Sequence, residues 1–152
     1  VVALFLDPDL AYVREVIGSV PVNLLQFHGK EEPEFCSEFN LPFTKAIGMR
    51  GNITLASQVQ RYAGSRGFLL DSHAHGEAGG TGETFDWDVL GQHHDFPLIL
   101  AGGLSPENVA TAIRTVKPWA IDLSSGVESA PGIKDHGKMA ALMNEVMRVN
   151  CE

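Results

Sequence analysis

Asp71 is the residue whose type and position most directly indicate catalysis. It ends the apolar run Phe68-Leu69-Leu70 and precedes a polar, glycine-rich stretch. A carboxyl group at the rim of an apolar strand is partly desolvated, which favours its protonated form and lets it donate a proton near neutral pH. We therefore predict that Asp71 is a general acid. A helix cap or a loop salt bridge is the alternative interpretation.

Two pairs of small residues, each placed after an apolar run, indicate an anion site. Gly102-Gly103 precede Ser105-Pro106, and Ser125-Gly126 follow the last run, with Ser124 beside them. Backbone N–H groups of such residues can approach a phosphate without interference from side chains. One pair alone would indicate only a tight turn. Two pairs at successive strand ends favour phosphate binding, which barrels often place after their last two strands.

Glycines and histidines mark two further candidate positions. The segment Gly79-Gly80-Thr81-Gly82 predicts a mobile flap whose amides close over a substrate. His28 also follows an apolar run, so it lies at the same rim and either contacts a ligand or forms hydrogen bonds within the rim. The loop histidines His73, His75 and His93-His94 lack a well-placed set of carboxylates or cysteines, so we expect no metal site there.

The candidate residues are positioned by short apolar runs that alternate with amphipathic stretches. The runs span residues 1–6, 22–27, 43–47, 67–70, 97–101 and 119–123. Continuous apolar runs are typical of parallel strands covered by helices on both faces. We predict one α/β domain over residues 1–152, with a helix that ends before Gly18 as its cap and another that starts at Ser105-Pro106. Trp119 is expected in the core.

Composition excludes several classes of function. The net charge is −8, which argues against nucleic acid as a partner, and no apolar run approaches the roughly 18 residues of a membrane helix. The chain opens on an apolar run without a basic leader, which predicts a strand rather than a signal peptide. Its two cysteines give no sign of a disulfide framework, so we expect a cytoplasmic protein.

Five motifs in order resemble one family along essentially the whole chain. They are Leu25-Gln26-Phe27-His28-Gly29, Leu69-Leu70-Asp71-Ser72, Gly79-Gly80-Thr81-Gly82-Glu83-Thr84-Phe85-Asp86-Trp87, Leu100-Ala101-Gly102-Gly103-Leu104 and Asp122-Leu123-Ser124-Ser125-Gly126-Val127-Glu128. The sequence is similar to phosphoribosylanthranilate isomerases from their third strand to their last helix.

The resemblance implies a (β/α)₈ TIM barrel and an Amadori rearrangement in tryptophan biosynthesis, without cofactor or metal. It implies that Asp71 protonates the ribose ring oxygen, and that the Gly102-Gly103 and Ser125-Gly126 backbones hold the substrate phosphate. Gly80, Thr81 and Gly82 would close over it, and His28 would line the mouth. The implied partner is a phosphorylated small molecule, with the intact protein a monomer or weak homodimer.

The sequence departs from the family at its start. The family's general base is a cysteine in a Lys-x-Cys-Gly segment after the first strand, and a substrate-binding arginine belongs to the second unit; neither segment occurs here. Cys36 falls in a predicted outer helix and Cys151 in a tail, so neither replaces that base. We therefore expect about six βα units, the C-terminal three-quarters of a barrel.

Three alternatives stay open. An indole-glycerol-phosphate synthase would show catalytic lysines at strand ends, whereas Lys45 lies inside a strand here, and a ribulose-phosphate epimerase would need a metal set. The third is a catalytically inactive partial barrel that only binds phosphate ligands or oligomerises.

Overall fold

The computed structural model describes residues 1–49, 54–72, 86–90 and 94–151. The chain packs into two compact units, Val1–Glu77 and Ala78–Glu152. Each of the six predicted apolar runs contains a strand, and strands and helices alternate as expected. The prediction of a single domain stays a prediction.

The first unit is a four-stranded parallel sheet in sequential order. Its strands are β1 (Val2–Phe5), β2 (Leu24–Phe27), β3 (Phe43–Gly48) and β4 (Phe68–Asp71). The helices that connect them are α1 (Leu10–Ser19), α2 (Pro33–Ser37) and α3 (Leu55–Arg61). All six residues of β3 are buried, as expected for a strand that is covered on both faces.

An aromatic cluster around Phe27 forms the core of the first unit. Phe27 is fully buried, and its ring centroid lies 6.1 Å from that of Phe5 and 5.8 Å from that of Phe35. The rings of Phe39 and Phe43 each lie 6.1 Å from it. These rings pack β1, β2 and β3 against α2, which fixes the loop that follows β2.

Helix α1 begins as its sequence indicates but ends later. The carboxylate of Asp9 caps it by accepting a hydrogen bond from the Tyr12 N–H at 2.7 Å. The predicted cap at Gly18 is wrong, because the helix continues to Ser19 and Val20 then turns extended, with φ −122°. Gly18 has open space around its Cα, so nothing in the fold requires a glycine there.

The second unit pairs two further parallel strands, β5 (Leu98–Leu100) and β6 (Ala120–Ile121). Helices α4 (Val109–Val116) and α5 (His136–Asn150) pack around a core of Val109, Val127 and Leu142. A short antiparallel hairpin precedes α5, with strands β7 (Glu128–Ala130) and β8 (Ile133–Lys134).

Two sequence expectations for the second unit are wrong. Helix α4 begins about one turn after Ser105-Pro106, because the Ser105 carbonyl accepts from the Asn108 and Val109 N–H groups and forms a separate turn. Trp119 is 74% exposed and does not lie in the core.

No helix in the described ranges is long and apolar enough to cross a bilayer.

We predict that Phe27→Ala lowers the free energy of unfolding by about 3–5 kcal/mol, because it removes a fully buried ring and leaves a cavity. Urea unfolding followed by circular dichroism measures this change. Val89→Ala is the control: Val89 is 66% exposed, so the change should stay within about 0.5 kcal/mol. Equal effects of the two substitutions would contradict the assigned core.

The two thiols are expected to differ sharply in reactivity. Burial raises the pKa of Cys36 to about 12, whereas Cys151 is exposed. Because the thiolate is the nucleophile, only about one Cys36 in 10⁴ is reactive at pH 8. A disulfide reagent should titrate one thiol in the native protein and two after denaturation, and Cys151→Ser should abolish the native signal. Rapid native modification of Cys36 would contradict its burial.

Candidate active site

The carboxyl edge of the first unit brings together two predicted site residues, His28 and Asp71. His28 directly follows β2 and Asp71 ends β4, so β3 lies between them in the sheet. The His28 Nε2 atom is 3.5 Å from Asp71 Oδ2, and the two side chains are 27% and 15% exposed. An acid and a possible partner therefore meet at the rim, in the partly desolvated setting that the sequence predicts for Asp71.

The surroundings of Asp71 restrain its carboxyl group. Its backbone carbonyl accepts a hydrogen bond from the Met49 N–H at 2.9 Å, which extends the pairing of β3 with β4 to the rim. The hydroxyl of Ser72, which is 2% exposed, lies 3.5 Å from Asp71 Oδ1. A carboxyl held in this way can present a proton in one direction, which is the geometric requirement for a general acid.

His28 is held by its backbone as well as by its ring. Its N–H donates to the Phe5 carbonyl at 2.8 Å, so the loop after β2 is joined to the end of β1. Its Nδ1 atom is buried and makes no hydrogen bond within the part of the chain that the structure describes. The ring thus directs its Nε2 atom to Asp71. This placement agrees with both sequence interpretations of His28, contact with a ligand and hydrogen bonding within the rim.

The predicted anion loop after β5 has a backbone that depends on its glycines. Gly102 and Gly103 have φ values of +82° and +64°, in the left-handed region that glycine adopts without strain. Asn108 fixes the loop, because its amide donates to the Gly103 carbonyl and accepts from the Ser105 N–H, both at 2.8 Å. The turn before α4 is therefore part of this loop's support.

The second predicted anion loop packs directly on the first. A Cβ atom added to Gly126 would lie 1.8 Å from the Leu104 carbonyl oxygen, so only a glycine allows this close approach. Ser124 is restrained by Lys134, whose Nζ donates to both the Ser124 carbonyl and its hydroxyl at 2.9 Å. Gly102, Gly103, Ser124, Ser125 and Gly126 thus form one small-residue surface in the second unit.

Lys134 brings a positive charge to this surface. Its Nζ lies 2.7 Å from Glu128 Oε1, and the hydrogen bond from Lys134 lowers the pKa of Glu128. Sequence analysis missed Lys134 and Asn108. Their hydrogen bonds to the two loops form only when the hairpin before α5 and the turn before α4 have folded. The Ser-Pro-Glu-Asn spacing was the one available signal for Asn108.

The predicted flap residues Gly80, Thr81 and Gly82 lie outside the described residues.

Gly126→Ala is predicted to destabilise the protein by about 1–3 kcal/mol, because the added methyl group forces the two loops apart. Gly18→Ala is the matched control, expected to stabilise by about 0.4–1 kcal/mol since it lies in a helix with open space around it. Thermal or urea unfolding of both variants measures the difference. A neutral Gly126→Ala would contradict the close approach to Leu104.

Comparisons with known proteins match this arrangement to one family. A family model described as N-(5'-phosphoribosyl)anthranilate (PRA) isomerase matches residues 1–145. The chain is 50% identical to N-(5'-phosphoribosyl)anthranilate isomerase of Nitrosospira multiformis over 145 residues, which covers 95% of this chain and 70% of that protein.

Solved structures agree on the fold. The chain superposes on phosphoribosyl anthranilate isomerase from Thermotoga maritima with a TM-score of 0.78 and 34% identity, covering 97% of this chain and 72% of that one. A second crystal structure, of a phosphoribosyl anthranilate isomerase, contains reduced 1-(o-carboxyphenylamino)-1-deoxyribulose 5-phosphate. That protein is 30% identical to this chain with a TM-score of 0.71, and the match covers 97% of this chain and 71% of that one. The predicted TIM-barrel fold class is therefore confirmed, and the chain belongs to the N-(5'-phosphoribosyl)anthranilate isomerase family.

Proposed function

We propose that this protein isomerises N-(5'-phosphoribosyl)anthranilate to 1-(2-carboxyphenylamino)-1-deoxyribulose 5-phosphate, a step of tryptophan biosynthesis. Family membership supports the reaction. The observation that carries the proposal is the partly buried carboxyl of Asp71 at the end of β4, with His28 Nε2 3.5 Å away. A restrained carboxyl at the edge where parallel α/β proteins bind their ligands supports a role as proton donor.

Asp71 acts as the general acid in this proposal. Its carboxyl donates a proton to the ribose ring oxygen while the bond from that oxygen to C1' breaks and the anthranilate nitrogen lone pair forms an iminium at C1'. Loss of the C2' proton to a base then gives an enolamine. The protonated base then gives a proton to C1', and the C2' hydroxyl loses its proton, which restores the Asp71 carboxyl. The ketone product results, and atoms and charge balance without a cofactor.

The phosphate-binding role belongs to the small-residue surface of the second unit. Backbone N–H groups around Gly102-Gly103 and Ser125-Gly126 can approach a phosphate closely, and the hydroxyl of Ser124, which Lys134 restrains, adds a polar group beside them. Such a site holds the part of the substrate that does not react. His28 is proposed to line the mouth and to keep the Asp71 carboxyl oriented.

Neither cysteine of the printed sequence suits the role of general base. Cys36 is buried, and its raised pKa keeps the thiol neutral, while Cys151 follows α5 at the end of the described chain. The family resemblance assigns the base to a Lys-x-Cys-Gly segment that the printed sequence does not contain. We propose Asp71 as the acid of the catalytic pair.

We propose that the protein is cytoplasmic, and a monomer or weak homodimer stays a prediction from the sequence. Both cysteines are free thiols, as is usual in a reducing compartment. The net charge of −8 favours a partner other than nucleic acid.

Turnover of N-(5'-phosphoribosyl)anthranilate, followed by its fluorescence, tests the proposed reaction. We would compare the 152-residue chain with the product of the whole open reading frame that contains it. Activity in the whole product is the expected result. Absence of turnover in both would overturn the reaction, and phosphate binding alone would then favour the inactive, phosphate-binding alternative.

Asp71→Asn in the active protein should lower kcat by about 10²- to 10⁴-fold, because the amide cannot donate the proton that opens the ring. Binding of a phosphorylated product analogue should change little, since the substitution keeps the size of the side chain. Asp95→Asn is the control, as Asp95 is exposed before β5. Loss of binding with activity retained would refute the assignment of Asp71 as the acid.

A further inference from the structure

A buried ion pair lies beneath the rim that carries His28 and Asp71. Lys45 is in the middle of β3, and Glu31 lies in the loop before α2. Their side chains are 1% and 2% exposed, and Lys45 Nζ is 3.3 Å from Glu31 Oε2. Burying two charges is costly unless both are paired and hydrogen-bonded, so the contacts of each group matter.

The ammonium group of Lys45 binds the end of β2. Its Nζ donates to the carbonyl oxygens of Phe27 at 3.2 Å, Gly29 at 2.6 Å and Ala46 at 3.2 Å. Burial lowers the pKa of Lys45, whereas the neighbouring Glu31 carboxylate acts in the opposite direction. Four oxygen atoms around a nitrogen with three possible donors favour the charged form, because a neutral amine has only two.

The carboxylate of Glu31 binds the loops after β1 and β2. Its Oε1 accepts from the Asp7 N–H at 2.9 Å, and its Oε2 accepts from the Gly29 N–H at 3.0 Å. The Glu31 backbone carbonyl is itself held by the Tyr62 hydroxyl at 2.8 Å. The pair therefore connects the ends of β1 and β2 to the middle of β3 through one buried point.

His28 lies between the two residues that the pair holds most firmly. The carbonyl of Phe27 before it is bound by Lys45, and both the N–H and the carbonyl of Gly29 after it are bound, by Glu31 and Lys45 respectively. The backbone that carries the His28 ring is thus fixed on both sides. Lys45 belongs to β3, the strand between those that carry His28 and Asp71.

We propose that Lys45 and Glu31 are positioning residues that hold His28 against Asp71 and thereby orient the proton donor. This role rests on the proposed function of Asp71. Stability alone does not account for the pair, because well-packed apolar residues often replace a buried ion pair without loss. Directional hydrogen bonds to three backbone groups next to His28 are what an apolar pair cannot supply.

Three variants and a control test this role in the protein made from its whole open reading frame. Lys45→Met leaves Glu31 as an unpaired buried charge, so it should lower both Tm and kcat, with kcat falling about tenfold to a hundredfold and KM changing little. Glu31→Gln combined with Lys45→Met removes both charges. We expect the double variant to regain much of the lost Tm while kcat stays low.

Thr44→Val is the matched control on the same strand. Thr44 is 4% exposed, and within the described part of the chain its hydroxyl has no hydrogen-bond partner, so kcat should not fall. Full recovery of kcat with Tm in the double variant would show that the pair is only structural. Unchanged kcat in Lys45→Met would overturn the proposal as well.

Amide hydrogen exchange at Gly29 separates this proposal from the reaction itself. The Gly29 N–H donates to the Glu31 carboxylate, so it should exchange slowly in the unmodified protein and about tenfold faster or more in Glu31→Met, whose side chain has no oxygen acceptor. If the unmodified protein has no turnover, the proposed function fails while this measurement still applies. Equal exchange in both proteins would overturn the role of the pair.

Discussion

Parallel strand pairing is the constraint on which the rest of this structure depends. A parallel neighbour cannot be reached through a tight turn, so each strand is followed by a crossover segment that returns the chain to the same starting edge. All carboxyl ends within one sheet therefore lie together. In the first unit this places His28 beside Asp71, although β3 and two connections separate them in sequence.

The same constraint makes the rim difficult to stabilise. Strands buried on both faces supply apolar surroundings up to the edge, whereas the proposed chemistry needs polar groups there. The first unit meets this need with buried hydrogen bonds that Lys45 donates to backbone carbonyls and that Glu31 accepts from backbone N–H groups. The second unit uses glycines with positive φ and the close approach of Gly126 to the Leu104 carbonyl, with Asn108 and Lys134 as supports.

These two solutions suit two different tasks. A general acid must point in one direction, so its neighbours are held by side-chain contacts that resist rotation. A phosphate is bound by several backbone N–H groups at once, so that site needs small residues and unusual φ angles instead. The proposed reaction requires both tasks, and each unit carries the residues that we propose for one of them.

Local errors of the sequence analysis have one physical origin. Helix α1 continues through Gly18 to Ser19, and the Val20 N–H still bonds to the Val16 carbonyl. Helix α4 starts late because Ser105 and Asn108 form a turn of their own. Residue propensities predict a different end for α1 and a different start for α4, because a helix begins and ends where its hydrogen bonds do. Trp119 is exposed, because residue type alone does not fix burial.

The sequence by itself determined the alternation of strands and helices, the parallel fold class and the positions of Asp71, His28 and the glycine pairs. These follow from apolar periodicity and from what stands after each run, which are local properties of the chain. Only the tertiary structure decided the depth of Lys45 and the partner of Glu31. A lysine inside an apolar strand gives no indication of its distant acceptors, because the carbonyl oxygens of Phe27 and Gly29 belong to a different strand and the loop that follows it. Burial and pairing of a charge depend on neighbours that only folding brings within hydrogen-bond distance.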